Sequence, residues 1–189
     1  MVTGPRLGID TATPYLALAL WWPDSGRIAR AGWRLERQLA GDLVPRVERF
    51  LVDHGVSPAD LGGIGVGVGP GSYTGARVGV AWATAAGRAL DIPVVGGDTL
   101  AARAWACLEP GTRGAVAVEA RRGEAWLETW AMAVDSRGVV VVGRRRAKIG
   151  ELPADAAASL RIAPDAALHA RRVDAVDAAP PAVRYEAIP

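Results

Sequence analysis

The chain has one cysteine, two histidines and a single lysine among 189 residues, and each scarcity closes off a class of chemistry. A lone thiol, Cys107, leaves no intramolecular disulfide and no cysteine-rich metal site, and it fits a reducing compartment. Its plain reading is a small apolar residue on a helix. His54 and His169 share no HxxxH or HExxH spacing, so a metallopeptidase site is not expected and no metal-ligand set is read in the sequence. Ser72 has no histidine near it, and its GPGSYTG setting is not the G-x-S-x-G elbow of a serine hydrolase. The only lysine, Lys148, lies far from any glycine-rich loop. That removes the Walker-type phosphate loop, whose lysine must reach the phosphates.

Long apolar runs are also scarce. The segment Tyr15–Trp22 (YLALALWW) follows Arg6 loosely in the manner of a signal sequence. However, Asp10 and two threonines interrupt its lead-in, Pro23 ends it, and it is too short to span a bilayer. A cytoplasmic protein with no membrane partner is the expectation. Excess charge of one sign is missing too: 22 Lys and Arg face 20 Asp and Glu, a formal net charge of +2, too little to identify a nucleic-acid binder.

What is present suits an ordinary folded chain, with half its residues apolar and 22% charged. Arg6–Asp10, Tyr15–Trp22 and Arg27–Leu35 read as strands of an antiparallel meander, punctuated by Pro14 and by Asp24-Ser25-Gly26. From Asp42 the period changes to that of an amphipathic helix, with Asp42 as candidate N-cap, Pro45 in the first turn and Gly55 as the stop. Leu61–Gly69 is a glycine-dense buried strand, and Tyr73–Leu90 a helix closed by Asp91. A short strand at Pro93–Gly96 precedes a helix capped by Asp98 and running to Cys107. Strands follow at Gly114–Ala120, Glu124–Ala133 and Gly138–Val142, then the basic run Arg144–Lys148. The alanine-rich remainder is read as short helices. The order implies an α/β lobe on a mixed sheet, residues 1–97, and a smaller second lobe, residues 98–189.

Two stretches invite a functional reading. In GVGPGSYTGARVG, Gly67–Gly79, the glycine spacing departs from the dinucleotide fingerprint, and shaping of the backbone is the favoured role, although a helix N-terminus attracts anions. In the helix that follows, Gly75, Gly79, Ala83 and Gly87 recur every fourth residue and make a nearly bare stripe. Glycines in a helix cost about 1 kcal/mol each relative to alanine, so a close contact must compensate. That contact is either the protein's own sheet or a helix of another chain. The other stretch is GIDTAT, Gly8–Thr13. Actin-like and sugar-kinase-like folds place an Asp here beside nucleotide phosphates and their metal, which makes Asp10, Thr11 and Thr13 candidates near a nucleotide. Ala12 stands where those ATPases carry a glycine, and a turn satisfied internally by Asp10 and Thr13 is the competing reading. Arg144–Arg146, Lys148, Arg121, Arg122, Arg171 and Arg172 are either a solvated face or an RNA-phosphate surface.

Taken together, GIDTAT, VGVGPGSYTGARVGVAWATAAGRALDIPVVGGDTLAARA and VEARRGEAW (Val118–Trp126) resemble the bacterial TsaB (YeaZ) family in order and spacing. The likeness covers roughly the first 130 residues, with PPAVRY (Pro180–Tyr185) a weak echo of the segment closing family members. It implies an actin-like (ASKHA, ribonuclease H-like) two-lobed α/β fold with mixed sheets flanked by helices. It also implies a non-catalytic role in making N6-threonylcarbamoyladenosine at position 37 of tRNA. The partners implied are a catalytic TsaD-like subunit, which carries nucleotide and metal, and a TsaE-like ATPase. No cofactor is expected on this chain itself. The implied interface, used for TsaD or for a homodimer, comprises Tyr73, Gly75, Arg77, Gly79, Val80, Ala83, Thr84 and Gly87, with the Asp42–His54 helix alongside. Direct contact with tRNA is left open. Three residues depart from the family pattern: Tyr73 for phenylalanine, Ala76 for leucine, and Glu119 for the Asp of a DAR motif. The LAGDLVP segment lacks the family's polar cluster, and a shortened second lobe bears on recruitment of the ATPase. The alternative from another class is an independent ATPase or kinase using Asp10 and Thr13.

Overall fold

The computed structural model describes residues 4–35, 39–109, 112–119, 124–132 and 139–174. The chain runs β1 (Arg6–Asp10), β2 (Tyr15–Trp21), β3 (Ile28–Arg34), α1 (Leu39–Asp53), β4 (Gly63–Gly67), α2 (Tyr73–Leu90) and β5 (Val94–Gly97). It continues through α3 (Thr99–Cys107), β6 (Arg113–Glu119), β7 (Glu124–Met132), β8 (Val139–Lys148), α4 (Ala154–Ser159) and α5 (Ala167–Arg172). A five-stranded sheet has the order β3-β2-β1-β4-β5, and a second sheet the order β6-β7-β8. In the first, β1 pairs antiparallel with β2 and parallel with β4, and β5 joins β4 in parallel. The second is antiparallel throughout, with Glu119 opposite Ala125. This is the mixed-sheet α/β architecture expected from the sequence.

Alternation within the strands decides the layering, because successive side chains point to opposite faces of a sheet. In YLALALW the leucines 16, 18 and 20 take one face and Ala17 and Ala19 the other. The leucine face joins Leu7, Ile9, Ile64 and Val66 in a core covered by Leu43, Val47 and Phe50 of α1 and Ala83 of α2. Each leucine buried completely contributes roughly 1.5–3 kcal/mol, so this face holds most of the first lobe together.

The opposite face is lined with alanine and glycine, and α5 lies on it. Ala17 and Ala19 cluster with Ala166 and Ala167. A Cβ added at Gly8 would strike the Ala166 carbonyl, and one at Gly65 the His169 carbonyl. The expected division at residue 97 therefore falls between β5 and α3, but the chain crosses back and ends its described course on the first sheet. Arg6, at the edge of that contact, pairs with Asp174 at 2.9 Å.

Two expectations about boundaries are corrected. Helix α1 begins at Leu39, so Asp42 is inside its first turn, pairing with Arg46 at 3.4 Å, and is not its N-cap. The basic run Arg144–Lys148 does not follow the last strand but belongs to it, since β8 extends to Lys148. By contrast α2 keeps its expected ends at Tyr73 and Leu90, with Asp91 closing it in the left-handed conformation at φ 53°; the structure adds Ser72 as its N-cap.

Candidate functional site

The loop between β4 and α2 is fastened to the GIDTAT turn and to the start of α3. Ser72 N donates to the Ala12 carbonyl at 2.6 Å, and Thr99 N to the Gly69 carbonyl at 2.9 Å. The Ser72 hydroxyl caps α2 by accepting from Gly75 N at 3.1 Å. Gly69 and Gly71 adopt φ of 99° and 150°, values that disfavour any side chain. A Cβ at Gly71 would also strike the Ala12 carbonyl, and one at Gly75 the Thr11 carbonyl. The glycines thus let three backbone segments close on one another.

Asp10 sits at the centre of that closure with no exposed surface. Its Oδ1 accepts from Ala12 N at 2.9 Å, and its Oδ2 accepts from the Thr99 hydroxyl at 2.8 Å. The same Oδ2 lies 2.8 Å from Nε2 of His169, which is also wholly buried. Thr11 donates its hydroxyl to the Gly75 carbonyl at 2.7 Å, and Thr13 accepts from Tyr15 N at 3.2 Å. All three candidate nucleotide-proximal residues are engaged within the chain, in the manner of an internally satisfied turn. These residues do not fit a magnesium-bound phosphate: the carboxylate is spent on His169 and Thr99, and backbone fills the place of a cradle. His169 is the functional-looking partner that sequence reasoning missed. Nothing local in LHARR signals it, because its partner lies 159 positions away.

The small-residue stripe divides the interface set. Gly75, Gly79, Ala83 and Gly87 are all buried within the chain itself. Gly79 faces the Thr11 hydroxyl, and Gly87 the Val94 side chain. Their assignment to a partner surface is therefore corrected: the bare stripe seats α2 on its own sheet, and the close approach offsets the glycines' poor helix propensity. The rest of the set looks outward. Tyr73, Arg77 and Thr84 are exposed and Val80 is half-buried. Arg77 donates to the Tyr73 hydroxyl at 2.8 Å and lies over its ring. On α1, Val44 and Val52 are exposed. Ala76, which stands for the family's leucine, is buried.

Arg171 stacks against Trp21 and Trp105, and Arg172 donates to the Gly96 carbonyl at 3.3 Å. Arg121 and Arg122 lie outside the described residues, as does PPAVRY. Burial raises the Cys107 thiol above its ordinary pKa, and Arg103 opposes that shift only in part. Its thiolate is therefore expected to form only at higher pH than in a free peptide. Alkylation at pH 8 is expected to be slower for Cys107 in the folded chain than after denaturation, and equal rates would overturn this. Among the described residues, no helix is long and apolar enough to cross a membrane.

This arrangement, a meander-led mixed sheet with helices on both faces and a glycine-rich turn into α2, defines a protein of the actin-like class. The chain belongs to the family described as TsaD: tRNA N6-adenosine threonylcarbamoyltransferase, whose model matches residues 34–152. Within it the likeness is to the TsaB (YeaZ) type. The chain is 34% identical over 126 residues to the tRNA threonylcarbamoyladenosine biosynthesis protein TsaB of Escherichia coli, covering 65% of this chain and 53% of that protein. It is 40% identical over 88 residues to TsaB of Bacillus subtilis, covering 47% and 38%. Among solved structures, YeaZ from Pseudomonas aeruginosa superposes with a TM-score of 0.69 at 25% identity, over 80% of this chain and 70% of that one. The chain spans about half the length or less of these curated relatives.

Proposed function

We propose that this protein is a non-catalytic subunit in the formation of N6-threonylcarbamoyladenosine on tRNA, binding and activating a TsaD-like catalytic subunit. The observation that carries the reading is the internal consumption of Asp10: the one carboxylate at the nucleotide position is held by His169 and Thr99. A platform has no need of it. Relatives named for threonylcarbamoyladenosine biosynthesis support the pathway. Nucleotide and magnesium belong, in this reading, to the TsaD-like partner and a TsaE-like ATPase, with tRNA as substrate of the assembled complex in the cytoplasm. The docking surface is the outward face of α2, Tyr73, Arg77, Val80 and Thr84, with α1 beside it. The same face serves a homodimer when the partner is absent. The competing reading, an independent ATPase or kinase, requires an available Asp10 and finds no support.

Co-purification with a TsaD-like protein tests the surface. Thr84→Arg places a long charged side chain on an exposed site, so it is expected to weaken the complex by tenfold or more, on the order of 1.4 kcal/mol, without lowering the melting temperature. Complex formation at unchanged affinity would remove α2 from the interface. The pathway is tested separately by measuring modified adenosine in tRNA from cells depleted of this protein, where a clear fall is expected. The isolated chain is expected to show no saturable ATP binding in the millimolar range.

A further inference from the structure

A cavity of about 610 Å³ opens where β2 and β3 meet the second lobe, lined by Tyr15, Arg34, Glu119, Leu160 and Arg161 among others. Its size is that of a small-molecule pocket. Its charges are what set it apart. The side chains of Arg34, Glu119 and Arg161 make no ion pair or hydrogen bond with one another or with any other described residue. The Tyr15 hydroxyl donates to the Arg161 backbone carbonyl at 2.8 Å.

Behind the wall lies a further cation. Arg103 is 1% exposed, and its Nη1 donates to the carbonyls of Ala117 at 3.0 Å and Ser159 at 2.8 Å. Its Nε and Nη2 find no partner. Ala117 lies on the strand that ends in Glu119, and Ser159 immediately precedes Leu160, so the guanidinium is anchored to the backbone that supplies the cavity lining. Burial disfavours its charged form, while Asp10 and, less strongly, Cys107, Tyr15 and Glu119 favour it; the Asp10 oxygens also bond Ala12, Thr99 and His169. Among the described residues, two arginines without an ion pair and one carboxylate line the cavity, so its lining carries a net positive charge. A guanidinium is a planar fork of donors that matches carboxylate and phosphate oxygens.

We propose that this cavity is a binding site for a small organic oxyanion, a carboxylate or phosphate monoester with an apolar body. Arg34 and Arg161 hold the oxyanion, and the Tyr15 ring and Leu160 cover the apolar body. Glu119 opposes the anion and limits its affinity.

The experiment is an NMR titration of the full chain with phenyl phosphate, phenylacetate and inorganic phosphate. Saturable shifts at residues around Tyr15 and Leu160 are expected with at least one organic probe, and the stronger of the two identifies the ester or the carboxylate as the preferred head group. Inorganic phosphate, lacking the apolar body, is expected to bind at least tenfold more weakly. Arg34→Ala and Arg161→Ala are each expected to weaken binding by about tenfold, the scale of one charge-assisted contact. Glu119→Gln is expected to tighten it several-fold by removing like charge. These side chains are exposed, so unchanged circular dichroism and melting temperature establish that the variants fold. Absence of saturable shifts with both organic probes would overturn the proposal. So would inorganic phosphate binding as tightly as they do, indifference to the arginine substitutions, or weaker binding by Glu119→Gln.

Discussion

Asp10→Ala is expected to lower the stability of the fold by about 3–5 kcal/mol, the summed scale of leaving several buried donors without their acceptor. The loss has three parts. His169 Nε2, the Thr99 hydroxyl and Ala12 N would all be left in a dry interior without their acceptor, and each unsatisfied buried donor carries its own desolvation penalty. The damage would also spread in sequence, because Asp10 links the end of β1 to the start of α3 and to α5. Chemical denaturation measures it: the midpoint is expected to fall sharply for Asp10→Ala and less for Asp10→Asn, which keeps a carbonyl acceptor. An unperturbed midpoint for the alanine variant would mean that the Asp10 contacts contribute nothing net, and the argument that the site is structural would collapse.

Gly79→Leu comes second, with an expected cost of about 3 kcal/mol, at the upper end of ordinary overpacking. The added Cβ would fall on the Thr11 hydroxyl, which cannot swing aside without giving up its 2.7 Å bond to the Gly75 carbonyl. The helix would have to lift from β1, exposing the apolar contacts on either side. Partner binding is expected to fail along with folding. Loss of the complex in this variant therefore says nothing about the interface, whereas loss in Thr84→Arg at an unchanged melting temperature does. A Gly79→Leu protein that melts at the wild-type temperature would instead show that the stripe tolerates bulk and has room for another chain.

Most of the first lobe was legible because its signals are local. Alternation in YLALALW marks a strand, Asp98 marks a helix start through a side chain that accepts from Ala101, and Asp91 marks an end. The misses have equally definite causes. Asp42 resembles a cap because an acidic residue precedes a periodic apolar run, yet Leu39 extends that period one turn earlier. The basic run Arg144–Lys148 reads as following the last strand because charge is unusual in a sheet interior, but β8 is at the edge of the order β6-β7-β8, where charged residues are tolerated and even useful.

The candidate site divides along the same line. Sequence spacing identified the bare stripe on α2 and the Asp10 turn as exceptional, and composition removed disulfide, zinc and Walker chemistry. It could not say which way the stripe faces, since a run of small residues permits close approach to any surface equally. Nor could it bring His169 to Asp10. Periodicity, caps and turns act over a few residues, so the sequence by itself determined the elements and the family resemblance. The return of α5 to the glycine face of the first sheet is a contact between distant segments, fixed by shape and burial, and only the tertiary structure decided that it seals Asp10 and leaves the outer face of α2 open.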